Sequence, residues 1–249
     1  MLRYAPQLTL STYTDDRQEI PAVWRMWLPL AAAVAVLVLH HTVPDWTWRR
    51  LFAEGWGVIE LAHFVIPIVA CVVAIQALVA TPRGTSAALR AWLAALALGC
   101  FYIAGEEHSW GQHFFGWETP EGWSAINRQD ETNLHNTTSW LNHKPRVLLN
   151  LGVLFGSILI PLALARGVAR KTIGHLSFVL PGRSCHVLGY LVLFYMVWDS
   201  GRKAGYLPYI SPRDAEMHEL FLYSYLLVYA ITLRNRIRRW PGELTEKLG

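Results

Sequence analysis

Long apolar runs alternate with short polar connections along this chain, and the pattern predicts a bundle of membrane-spanning helices. An α-helix needs about 20 mainly apolar residues to cross the hydrocarbon core of a bilayer. Six runs are long enough, and the fifth has the fewest strictly apolar residues. In chain order the runs are 23–41, 58–80, 87–105, 147–164, 187–198 and 220–233. We therefore predict an all-α integral membrane protein with about six transmembrane helices.

The connections between these runs predict the domain organisation. Residues 1–22 form a polar lead, residues 23–234 the transmembrane domain, and residues 235–249 a basic tail. The only long connection, residues 106–145, joins the third and fourth runs. Loops of this length are usually functional or disordered, and the high aromatic content argues against disorder. The sequence therefore predicts a structured loop between helices 3 and 4.

Composition supports a membrane protein. Of 249 residues, 53% are hydrophobic and only 16% are charged, whereas about a quarter are charged in a soluble domain. No cleavable signal peptide is expected, because about twenty polar residues precede the first run. Cys71, Cys100 and Cys185 lie within or just before apolar runs, so they predict no disulfide framework.

The distribution of charge predicts the orientation. With six spans, 14 of the 22 Lys and Arg residues lie on the side of the two termini, so the termini are expected to be cytoplasmic. The basic tail then contacts anionic lipid headgroups, and no nucleic-acid partner is expected. Thirteen of the 18 acidic residues and eight of the ten histidines lie on the opposite side. Any chemistry is therefore expected to face the periplasm or the exterior.

Candidate reactive groups are concentrated in the stretch 105–136. Carboxylate and imidazole groups bind hard or borderline metals and transfer protons. A carboxylate beside a membrane span, as at Glu106, is costly and commonly functional. The candidates here are Glu106, Glu107, His108, His113, Glu118, Asp130, Glu131 and His135.

Residue spacing adds candidates from other segments. Glu60 and His63 are three residues apart and share a helical face, and such pairs bind metal in di-iron and di-manganese bundles. Glu131 and His135 are four apart, a spacing that would also place them on one helical face, and Glu219 lies near the start of the sixth run. An acidic residue in a first helical turn also stabilises the helix N-terminus without a metal. The predicted ligands of a divalent Fe, Mn or Zn ion are Glu60, His63, Glu131, His135 and Glu219.

The strings GEEHSWGQHFFGWETPE and NRQDETNLHN resemble a signature of a group of uncharacterised bacterial multi-spanning membrane proteins. The resemblance covers about thirty residues and implies a bacterial origin, but it implies no activity. The signature commonly has Arg where this chain has His113, which argues against a metal role for His113. Its core here is Glu106, Glu107, Trp110, Gln112, Glu131, Asn133 and His135.

Two functions follow from these patterns. The first is a metal-dependent hydrolase or oxidase of the bacterial inner membrane that acts on a lipid or lipid-linked substrate. The second is a non-enzymatic transporter or accessory subunit that binds a cation or proton. The almost wholly apolar inner halves of the spans favour a one-sided site over a path through the membrane. The predicted catalytic residues are Glu106, Glu107 and Gln112, and the predicted substrate contacts are Trp110, Trp117 and Asn133.

Overall fold

A computed structural model provides the fold. It describes residues 20–51, 56–83, 85–127, 129–134, 136–167, 178–208 and 214–246. Every regular element within these ranges is helical, and no strand occurs among them. The predicted all-α class is therefore confirmed for the described part of the chain.

Nine helices, labelled α1 to α9, make up the described part. The 3-10 turns Ser109–Gly111 and Arg183–Cys185 precede α5 and α8. α7 combines Ser139–Leu154, the π-helical turn Phe155–Leu159 and Ile160–Ala165. The others are α1 Val23–Thr42, α2 Asp45–Leu51, α3 Val58–Ala80, α4 Ala87–Glu107, α5 Gln112–Phe115, α6 Glu121–Ser124, α8 His186–Lys203 and α9 Asp214–Glu246.

Four of these helices have the length and hydropathy of membrane spans. They are Val23–Thr42, Val58–Ala80, Ala87–Glu107 and the Pro145–Ala165 part of α7, and they match the first four predicted runs within a few residues. The fifth and sixth runs lie inside α8 and α9, which continue into polar residues. The structure thus shows a membrane-associated helical protein with four candidate spans.

Two prolines alter the helices that contain them. The π-helical turn Val23–Trp27 comes just before Pro29, and the turn Phe155–Leu159 comes just before Pro161. Proline has no N–H group and cannot make the usual bond to the carbonyl four residues earlier. The turn before each proline therefore widens, as single-turn π-bulges do in other helices.

α3 is the centre of the bundle and packs most extensively against α4 and α9, while α9 also packs against α8. Small buried residues allow close approach: Ala70, Ala74 and Ala77 on α3, and Ala97 and Ala104 on α4. α3 and α4 are joined by a short turn and run antiparallel. The start of α3, the end of α4 and the start of α9 consequently meet at one end of the bundle, here called the polar end.

Candidate functional site

Three helices each bring one potential metal ligand to the polar end. His63 lies in the second turn of α3, Glu107 is the last residue of α4, and Glu219 lies in the second turn of α9. One ligand atom from each lies within 4.8 Å of the other two. His63 is only 1% exposed. We call these three residues the polar cluster.

The hydrogen bonds of His63 determine which of its ring nitrogens carries the proton. Nε2 lies 3.0 Å from the backbone oxygen of Glu216. A carbonyl oxygen only accepts, so Nε2 is assigned the proton. Nδ1 lies 3.4 Å from Oε2 of Glu107. In a neutral imidazole the lone pair of Nδ1 would face this carboxylate, so the contact requires a proton on Nδ1 or on Oε2, or a cation between the two groups.

Two further side chains contact the polar cluster. The hydroxyl of Tyr223 donates to Oε1 of Glu107 at 2.6 Å, and its ring packs edge-on against His63 with centroids 5.4 Å apart. Arg146 of α7 donates to Oε1 of Glu219. Neither residue was predicted from the sequence. Tyr223 follows Glu219 by four residues, and that spacing places them on one helical face.

The structure brings only some of the predicted metal ligands together. His63 and Glu219 belong to the polar cluster, and Glu107, predicted as a catalytic base, is its third member. Glu60 lies near enough to interact electrostatically with all three. Glu131 lies in the long loop, away from the cluster, and His135 falls outside the described residues.

Glu131 belongs to a second polar network, within the loop. Its Oε2 accepts hydrogen bonds from Ser109 at 3.1 Å and from Asn133 at 2.6 Å, and its Oε1 lies 3.2 Å from Nε2 of His113. Asn133, predicted to contact substrate, is buried here. This network ties the segment around Glu131 to the turn that follows α4.

Residues 131–134 are not helical, so the expected helical face of Glu131 and His135 is not formed over this segment. The physical reason is competition for the backbone N–H groups. In a helix these groups donate to carbonyls four residues earlier, but here side-chain oxygens accept them. The pairs are Gln129 and Glu131 to Asn127, Thr132 to Gln112, and Leu134 to Glu106.

Glu106 and Gln112, predicted to be catalytic, hold the loop in place. Glu106 is buried and accepts from Nε1 of Trp110 at 2.7 Å and from the backbone of Leu134 at 2.8 Å. The side-chain oxygen of Gln112 accepts from the backbone N–H of Thr132 at 2.7 Å. Its side-chain amide donates to the hydroxyl of Thr119 at 2.8 Å. These contacts give both side chains a structural role.

The predicted substrate contacts Trp110 and Trp117 both retain exposed surface. The Trp110 ring lies over Gly105, where a Cβ atom would come within 2.7 Å of it. Trp117 stacks on Phe115 with the ring centroids 6.0 Å apart and donates from Nε1 to Thr132 at 3.0 Å. The loop therefore presents aromatic surface beside the polar end.

A left-handed turn reverses the chain after α4. The φ angles of Ser109, Trp110 and Gly111 are 46°, 55° and 104°. Residues other than glycine rarely adopt this backbone conformation. Each such residue that does so lowers stability by on the order of 1–3 kcal/mol. The hydrogen bonds of Ser109 and Trp110 offset this cost. The turn was not predicted from the sequence, because two of its three residues are not glycine.

His108 is the residue that directly follows α4. It is buried, and its ring lies 3.8 Å from that of Phe114 between centroids. Neither ring nitrogen has a hydrogen-bond partner among the described residues. Burial, together with repulsion from His113, lowers the pKa of His108 to about 4. His108 is therefore neutral at physiological pH.

Comparisons of the chain with protein-family models, with curated proteins and with solved structures found no match. The resemblance of the stretch 105–136 to a bacterial membrane-protein signature stays a prediction. Function is accordingly inferred from the contacts of the polar cluster and the loop.

Proposed function

We propose that this is a multi-pass protein of the bacterial inner membrane in which His63, Glu107 and Glu219 bind one divalent metal ion. The metal serves the hydrolysis or oxidation of a lipid or lipid-linked substrate. The observation that carries the proposal is the approach of His63 Nδ1 to a carboxylate of Glu107, with a second carboxylate inside 4.8 Å. Imidazole combined with carboxylates is a donor set for Zn, Mn or Fe.

Charge balance supports a bound cation. With a neutral imidazole, the carboxylates of Glu107 and Glu219 carry two negative charges, and the guanidinium of Arg146 neutralises one. Glu60 lies near enough to interact electrostatically with all three residues of the cluster. An uncompensated carboxylate beside a membrane is costly, and a cation bound by the three side chains would compensate it.

The surrounding residues have separable roles in such a site. Tyr223 orients Glu107 through its hydrogen bond, and the Glu216 carbonyl fixes the ring of His63. Outer hydrogen bonds of this kind tune metal ligands. A bound metal would activate water or supply an oxidising centre. Glu60, next to the ligands, would be the carboxylate that transfers protons.

The setting of the cluster supports a lipid substrate and an outward-facing site. The ligands lie at the end of apolar helices, and exposed aromatic rings of the loop lie at the same end. We propose that α8 and α9 supply the fifth and sixth spans, so that both termini are cytoplasmic. The greater number of cationic residues on the side of the termini supports this orientation.

A second candidate function is a transporter or accessory subunit whose cluster binds a proton. The ion pair between Arg146 and Glu219 favours it. If His63 is an imidazolium, it and Arg146 carry two positive charges that balance Glu107 and Glu219. The cluster is then neutral without a metal.

Metal analysis of the full-length protein distinguishes the two functions. We expect about one Fe, Mn or Zn ion per chain after purification without chelators, because three converging ligands bind such ions tightly. His63→Gln should reduce the metal content to background, since it removes the imidazole ligand. His41→Gln, which changes an exposed histidine at the end of α1, is the matched control and should retain the metal.

Wild-type protein that stays free of metal after growth and incubation with each of the three ions contradicts the metal proposal. The proton-binding alternative makes a different prediction for the same protein. Nitrogen NMR should then show both ring nitrogens of His63 protonated, and His63→Gln should remove that signal.

A further inference from the structure

A cleft of about 560 Å³ lies between α1 and the rest of the bundle. Within Leu28–Thr42 of α1, only Pro29 and Val36 are buried, so the helix packs loosely and leaves a gap beside α9. The cleft is lined from α1 by Trp24, Leu28 and Ala32, from α3 by Ile66, from α8 by Leu188, and from α9 by residues between Leu220 and Asn235.

The length and lining of the cleft fit a hydrocarbon chain. On α9 the lining extends from Leu220 to Arg234, a distance of about 21 Å along the helix axis. One leaflet contributes about half of a hydrocarbon core that is about 30 Å thick. Almost all of the described lining residues are apolar, and Ser224 is the one among them that bears a hydroxyl between the ends. A cleft of this kind at the depth of the bilayer core is accessible to lipid chains.

The end of the cleft far from the polar cluster is cationic. Arg234 and Asn235 lie there, and Arg234 donates to Oε1 of Gln76 at 3.1 Å and to Oδ1 of Asn235 at 3.4 Å. Nε of Arg234 is buried and has no hydrogen-bond partner among the described residues. Among the described residues that line the cleft, none is acidic. A buried donor on a cation is best satisfied by an anionic oxygen.

We propose that the cleft is a binding site for an anionic phospholipid, with one acyl chain between α1 and α9 and the phosphate at Arg234. Arg234 lies fifteen residues beyond Glu219, on the side that we assign to the cytoplasm. The cytoplasmic leaflet of a membrane carries anionic lipid. The inference depends on the placement of the helices in a membrane and not on metal at the polar cluster.

Photo-crosslinking in nanodiscs tests the site. The probes are phosphatidylglycerol and phosphatidylcholine, each with a diazirine in one acyl chain, and the adducts are located by mass spectrometry. We expect adducts on residues 24–32 and 224–231, with a higher adduct yield from phosphatidylglycerol than from phosphatidylcholine. Arg234→Gln should lower phosphatidylglycerol adducts about fivefold, because one basic contact to the anionic lipid is lost, and should leave phosphatidylcholine adducts unchanged. Ala32→Phe should remove adducts of both lipids by filling the cleft.

Two variants provide matched controls. Arg238→Gln removes a charge from the same basic segment at an exposed position outside the cleft, and Ala31→Phe adds a ring at an exposed neighbour of Ala32. Both should crosslink like the wild type. Equal losses in Arg234→Gln and Arg238→Gln would overturn the proposal, because they would indicate general surface attraction. Adducts spread evenly over all lipid-facing helices would also overturn it. If His63→Gln loses the metal but keeps the wild-type yield of adducts, lipid binding in the cleft does not depend on metal at the polar cluster.

Discussion

At the residue scale, Glu106 and Glu107 differ in their partners although they are adjacent. Neighbouring residues of an α-helix point about 100° apart, and α4 ends at this position. Glu107 therefore faces α3 and α9, where it meets His63 and Tyr223. Glu106 faces the loop and binds the backbone of Leu134. One carboxylate thus belongs to the candidate metal site, and the other holds the loop over it.

The two glutamates form a matched pair of variants with opposite expected results. Glu107→Gln should remove the metal, because an amide oxygen is a weaker ligand than a carboxylate, and should leave the loop closed. Glu106→Gln should retain the metal. It leaves a buried donor without a charged acceptor, which costs on the order of 1–3 kcal/mol. Hydrogen exchange of residues 127–134 should therefore accelerate in Glu106→Gln alone.

Metal content and hydrogen exchange measured on the same two samples check this separation. Loss of metal in both variants, together with faster exchange in both, would contradict it. That result would show that the loop and the polar cluster form a single cooperative unit.

At the element scale, side-chain acceptors hold the described part of the long loop together, and its own helices α5 and α6 are only about one turn each. Gln112 exemplifies this, since its oxygen accepts from both the backbone and the hydroxyl of Thr132. The aromatic content of the segment predicts an ordered loop. It was not enough to predict the path of the chain, because that path depends on contacts between residues some 20 positions apart.

Gln112→Ala should loosen the loop without altering the membrane helices. The substitution leaves the backbone N–H of Thr132 without its acceptor, which we expect to destabilise the loop by about 1–3 kcal/mol. Limited proteolysis should then cleave within residues 112–134 faster than in the wild type. Ser124→Ala, at an exposed position of the same loop, is the control and should show the wild-type rate. Equal rates for all three proteins would contradict the proposed role of Gln112.

At the scale of the whole molecule, the apolar runs predicted α1, α3, α4 and the membrane part of α7 closely, because run length directly reflects bilayer thickness. The sequence also placed Glu60, His63 and Glu219 at one depth, since each lies near a helix end. It did not separate Glu131 from them, because depth alone does not determine which side chains meet. Arg146 was missed because its partner Glu219 is 73 residues away in the chain.

Orientation is the remaining property of the whole molecule, and cysteine labelling tests it. Ser124 in the loop and Arg83 in the turn between α3 and α4 are both exposed and belong to opposite ends of the bundle. The native Cys71, Cys100 and Cys185 are buried and give a low background. A membrane-impermeant maleimide should label Ser124→Cys in intact cells and Arg83→Cys only after permeabilisation. The opposite pattern would place the polar cluster at the cytoplasmic face. It would also move Arg234 to the outer leaflet. The metal proposal would then still stand, but the anionic lipid could no longer come from the cytoplasmic leaflet.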